Sequence, residues 1–144
     1  MLFRSRVRES GGVVWLDPAI RSVYFSRSTL KKLAEQYWRY GFWKFKMLKR
    51  YPHTLRWRQA LPPVFVLILL SLIVLSLVLT FAQLLLALQL FTYYFVLGVA
   101  GLQLAIKTRT GFLIWGLPLA ITTMHITWGA CFLWSGITSL LKNG

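Results

Sequence analysis

Four side chains on one short stretch have the types and spacing to hold a sugar phosphate. Gln36 and Arg39 are three residues apart, which puts them on one face of a helix. Tyr40 and Trp43 border that face. A guanidinium offers a fixed fork of donors to phosphate oxygens, an amide adds a donor and an acceptor, and an aromatic plane takes a sugar ring. A fifth candidate, His125, lies in the middle of a long apolar stretch. Ionisable groups inside a membrane are candidates for function by default. His125 can line a path for a phosphate, or it can be a neutral imidazole bonded to a neighbouring helix or to Thr122, Thr123 or Thr127. Cys131 stands alone, so it forms no internal disulfide, and no metal-ligand spacing is present.

These residues sit in a chain of two unlike halves. The sequence is 57% hydrophobic yet carries a formal charge of +14, a combination rare in soluble domains. Fourteen of the seventeen Lys and Arg, and all three acids (Glu9, Asp17 and Glu35), precede residue 59. A basic half of this kind meets nucleic acid, anionic lipid or phosphorylated substrate. The apolar half favours the last two, and no nucleic-acid-binding motif is found. The N-terminus is basic, but no apolar core follows it, so no secretory signal is read.

Residues 59–106 contain no charged side chain. As a single helix they would run for about 72 Å, against a hydrocarbon core of about 30 Å, so they must form two crossings. A division near 80–83 gives spans at about 62–80 and 84–106, with Pro62 and Pro63 at the start of the first helix. Residues 110–141 make about 48 Å of uncharged helix, enough for one crossing at about 112–140, with a kink at Pro118. Three crossings put the basic N-terminal half and the Lys107–Arg109 link on the cytoplasmic side and the C-terminus outside, as the positive-inside rule requires. Gly98, Gly101 and Ala105 form one small-residue face, and Gly129 and Gly136 another, suited to close helix packing.

Ahead of the spans, Met1–Ser10 has helix-like composition with Gly11-Gly12 as its C-cap. Val13–Leu16 and Arg21–Ser26 read as short extended segments around an Asp17-Pro18 turn. Ser28 then caps an amphipathic, aromatic, basic helix of the kind that lies in the membrane interface, with Gly41 as its break or bend. Tyr51-Pro52 ends that helix, and Arg56-Trp57-Arg58 anchors the first span. The plainer reading of this helix is an anchor without chemistry.

In order along the chain stand Arg4-Ser-Arg-Val-Arg8-Glu-Ser-Gly11-Gly12, Trp15-Leu-Asp-Pro18, Tyr24, Arg27-Ser28, Gln36-Tyr-Trp-Arg39-Tyr40-Gly41-Phe-Trp43-Lys44, Tyr51-Pro52 and His125-Ile-Thr-Trp128-Gly129-Ala-Cys-Phe-Leu-Trp-Ser-Gly136. This succession resembles the end of the catalytic region and the membrane helices of processive-type family 2 glycosyltransferases, of the succinoglycan exopolysaccharide type. The resemblance covers nearly the whole chain. It implies a mainly α protein in three parts. Residues 1–27 are a small α/β remnant of the nucleotide-sugar transferase domain, 28–61 the interfacial helix region and 62–144 the transmembrane region. It implies that Gln36 and Arg39 contact the donor's nucleotide diphosphate. Tyr40, where related polymerases carry Trp, faces a lipid-linked or polymeric glycan acceptor, and Trp43 is a further substrate-binding residue.

The family's nucleotide-binding core, metal-binding acids and catalytic base lie upstream of the residue matching Met1. The resemblance therefore implies a C-terminal piece, or one half of a split enzyme, in the plasma (inner) membrane. It holds no cofactor itself, a divalent metal belongs to the complete enzyme, and the chain alone is inactive. Membrane lipid is a partner, and nucleic acid is not. The competing reading is a small non-enzymatic membrane protein whose basic helix binds anionic lipid or a partner subunit. A transporter fragment is disfavoured, because no repeat is present and the spans are nearly free of ionisable groups.

Overall fold

The structure is a computed structural model that describes residues 7–8, 10–15, 17–23, 28–52 and 57–141. The first turns of the Met1–Ser10 segment, Leu16, Tyr24 to Arg27 and Arg56 lie outside the described residues. Among the described residues four helices follow one another: α1 (Leu30–Arg50), α2 (Trp57–Ser76), α3 (Thr80–Thr108) and α4 (Leu113–Leu141). The last three are long and apolar enough to cross a bilayer, which makes this a multi-pass membrane protein.

Ahead of α1 the expected turns form, and the described residues of the expected strands are not paired. Gly11 adopts φ 79°. Its N–H reaches the Arg8 carbonyl at 3.1 Å and the Gly12 N–H reaches that of Val7 at 2.7 Å, the bond pair of a Schellman cap. Asp17 Oδ1 accepts the Ala19 N–H at 2.8 Å, so this carboxylate serves a turn. Among the described residues no β-strand is present, and the α/β remnant has no support. Val13, Trp15 and Val23 are more than 80% exposed. A strand needs a neighbour to satisfy its backbone, and these segments have none.

α1 begins one residue later than expected. Its N-cap is Thr29, whose hydroxyl accepts the Lys32 N–H at 3.3 Å. Gly41 does not break the helix. It is buried, and a Cβ there would lie 2.5 Å from the Trp128 carbonyl and 3.2 Å from Cys131 Cβ of α4. One turn on, the rings of Phe45 and Phe132 meet edge to face at 5.3 Å. Phe45 also covers Gly136, and Lys49 Nζ donates to Ser139 Oγ at 2.9 Å. Residues 41, 45 and 49 thus meet 128–131, 132–136 and 139 in rising order, so α1 runs lengthwise beside the second half of α4. The amphipathic pattern serves a helix–helix seam as well as an interface.

α2 also starts earlier than expected, with Pro62 and Pro63 inside it. They have no N–H to give the carbonyls of Arg58 and Gln59 four residues back. The first crossing ends at a tight turn over 77–79, not at 80–83. Thr80 to Gln83 instead form the first turn of α3, where Gln83 Nε2 closes the Ser76 carbonyl at 2.9 Å. At the other end of α3, Arg109 takes φ 55° and caps the helix through its N–H.

Small residues set how closely the crossings approach. A Cβ on Gly129 would lie 2.6 Å from the Pro62 carbonyl, and one on Gly101 would lie 3.0 Å from that of Ile114. Pro118 denies the Ile114 carbonyl its helical partner. Gly98, by contrast, has nothing within 4 Å of its missing Cβ. Because Pro62 meets Gly129, α2 starts beside the middle of α4 and leaves the α4 segment around Met124–Trp128 open toward α1.

Gly41→Ala and Gly129→Ala should each destabilise the protein by about 1–3 kcal/mol through overpacking. Gly98→Ala should be neutral or slightly stabilising, because alanine favours helix without a clash. Thermal unfolding of the detergent-purified variants measures all three.

Candidate functional site

A groove of about 950 Å³ opens between α1, the first turns of α2 and the middle of α4. From α1 it takes Tyr37, Tyr40, Trp43, Lys44, Lys46, Met47 and Arg50, with Tyr51 just beyond. α2 contributes Arg58, Gln59 and Pro62, and α4 contributes Met124, His125 and Trp128. The α1 stripe follows directly from helical spacing, since positions three and four apart share a face.

The walls combine rings with cations. Lys46 Nζ lies 4.3 Å from the Phe42 ring centroid and 5.3 Å from that of Trp43. The Arg50 guanidinium sits 5.8 Å from the Tyr51 ring and that of Arg58 sits 5.4 Å from Trp57. Contacts of this kind hold a cation in place with its N–H groups still able to donate. Lys44, Lys46, Arg50 and Arg58 line the groove, and among the described residues no Asp or Glu does. The groove is therefore an anion-attracting surface with aromatic and apolar walls.

The sequence candidates divide between this groove and its outside. Tyr40, Trp43 and His125 line it. Gln36 stands one bond behind, its Nε2 donating to the Tyr40 hydroxyl at 2.8 Å. Arg39 is exposed and outside the groove, so it shares a helix with Tyr40 but not a cavity. Lys44, Lys46, Arg50 and Arg58 were not singled out from the sequence as one set, nor was Trp128 joined to them. The signal for the α1 members was legible as spacing, whereas that for Arg58 and Trp128 required the tertiary contacts.

His125 takes the first of its two expected partners' kinds, a neighbouring helix. Its Nδ1 lies 3.1 Å from the Tyr93 hydroxyl of α3. Phe65 of α2 stacks on Tyr93 at 4.5 Å between centroids. The nearby threonines turn to their own helix, Thr123 to the Leu119 carbonyl at 2.8 Å and Thr127 to that of Thr123 at 2.6 Å. The described residues contain no cluster of His, Cys, Asp and Glu able to hold a metal. Comparison with protein-family models, curated proteins and solved structures returns no match to this chain.

The outward placement of Arg39 and the 0% exposure of Cys131 give a direct check. In detergent solution Arg39→Cys should react rapidly with a water-soluble maleimide, and Cys131 should not react until the protein is unfolded. Mass spectrometry of the labelled chain reads both sites at once.

Proposed function

We propose that this chain is the membrane-embedded, acceptor-side part of a family 2 glycosyltransferase that builds a polysaccharide or lipid-linked glycan in the inner membrane. One observation carries the reading. The two stretches that most resemble that family, 36–44 and 125–136, lie far apart in the sequence, yet Tyr40 and Trp43 of the first line the same groove as His125 and Trp128 of the second. The groove's rings suit a sugar and its cations suit a phosphate.

On this reading the groove holds the acceptor, and Arg39, on the outside of α1, is left for the donor's diphosphate. Gln36 joins the two faces through its bond to Tyr40. Transfer needs a carboxylate to take the acceptor's proton and positive charge on the leaving diphosphate. The groove supplies positive charge and no carboxylate. The base, and the divalent metal expected of the complete enzyme, belong to a nucleotide-sugar-binding domain acting with this chain. The basic half faces the cytoplasm, where that domain meets the donor.

A second reading has its own support. α1 is rich in cations and Arg39 points away from the cavity, which also suits a helix that binds anionic lipid without chemistry. Kinetics in the complete enzyme separate the two. Trp43→Ala and Trp128→Ala should raise KM for the acceptor about tenfold, or about 1.4 kcal/mol. Arg39→Ala should raise KM for the donor and leave that for the acceptor unchanged. Unaltered glycan synthesis by all three variants, with normal insertion, would favour the lipid-binding reading.

A further inference from the structure

Among the described residues, every ionisable group on the groove is a Lys, an Arg or a Tyr except His125, which is half-buried on α4. It is also the one held from behind. Nδ1 meets the Tyr93 hydroxyl at 3.1 Å, and Phe65 fixes Tyr93 by stacking. When the phenol donates to Nδ1, the imidazole proton sits on Nε2 at the opposite edge of the ring. Nε2 has no partner among the described residues, and His125 lines the groove. An N–H on a half-buried ring beside apolar side chains favours an acceptor there.

The cavity's shape and chemistry say what completes this donor. The cations Lys46, Arg50 and Arg58 call for an anion, and Met124, Trp128 and Pro62 present an apolar wall beside His125. About 950 Å³ is far more than a bare oxyanion fills, and it fits the usual size of a pocket for a drug-sized molecule. We infer that the groove binds a phosphate ester carried on a membrane-borne chain, and that His125 Nε2 donates to a phosphate oxygen. Tyr93 is the positioning residue that sets the tautomer. The phosphate comes from a phospholipid headgroup or from a prenyl phosphate, the same chemistry from two sources. This inference deepens the acceptor-groove reading and rests on the same cavity.

The test is binding of dodecyl phosphate to the full chain in uncharged detergent, followed by the fluorescence of the groove tryptophans. His125→Ala should weaken binding about tenfold, the worth of one hydrogen bond to a charged group. His125→Gln, which restores an N–H, should recover part of it and guards against a folding defect in the alanine variant. Tyr93→Phe should weaken binding severalfold in the native background and not at all in His125→Ala. Nitrogen NMR of His125 should show the Nε2–H tautomer in the native chain and lose that preference in Tyr93→Phe.

Competition by phosphatidylglycerol assigns the headgroup source, and competition by farnesyl phosphate alone assigns the prenyl source. Either supports the site. Equal competition by inorganic phosphate would overturn the membrane-borne ligand, and equal binding by native protein and well-folded His125→Ala would overturn the role of the imidazole. Loss of the glycosyltransferase reading shows itself separately, as glycan synthesis unaffected by Trp43→Ala while dodecyl phosphate still binds.

Discussion

The structure depends on how closely two helix backbones can approach where no side chain intervenes. At Gly41 the backbone of α1 lies against the Trp128 carbonyl and Cys131 of α4, closer than any residue with a Cβ could come. Gly129 does the same on another side of α4, toward Pro62 of α2. α4 is thereby gripped from two directions within one turn. The groove is the space left between those two grips, and its walls are the side chains that flank them. In a bilayer, where apolar side chains gain little by leaving lipid for protein, such close contacts supply much of the driving force for assembly.

This arrangement explains how a strongly basic helix can lie beside membrane crossings. One face of α1 is spent on the seam with α4 through Gly41, Phe45 and Gly136. Its cations are carried on long aliphatic stems, stacked on aromatic rings at the groove or turned outward. Several polar groups within the crossings are likewise matched: Tyr93 to His125, and Thr123 and Thr127 to their own helix. Buried polar atoms of Gln89, Thr122 and Ser135 find no bond of their own, and Gln89 and Thr122 lie on the same helices as the Tyr93–His125 pair.

Much of this was legible beforehand because the bilayer sets lengths. Runs without charge could only be three crossings, and the Gly11 cap and the Asp17 turn follow from residues with one strong local preference. Boundaries were less legible where a residue has two uses. Pro62 and Pro63 suit a helix start, yet a membrane helix tolerates them inside, so α2 begins earlier. Gln83 looks like a linker residue, yet it serves the end of α2 from within α3. Gly41 reads locally as a helix breaker, and only the position of α4 shows it to be a contact. The site divides in the same way. The spacing of Tyr40 and Trp43 predicted a shared face, but the departure of Arg39 from it, and the arrival of Arg58 and Trp128, depend on which side of α1 the seam occupies.

That seam is best tested by chemistry at its closest point. An ideal Cβ on Gly41 lies 3.2 Å from Cys131 Cβ, and slight relief of the crowding at the Trp128 carbonyl brings the pair into the range of about 3.5–4.5 Å found in disulfides. Oxidation of Gly41→Cys in native membranes should therefore couple it to Cys131 and leave no thiol for a maleimide, while Gly98→Cys, with open space around it, keeps its thiol. If both thiols of Gly41→Cys are recovered on unfolding after oxidation, α1 does not lie along α4 and the groove between them does not exist.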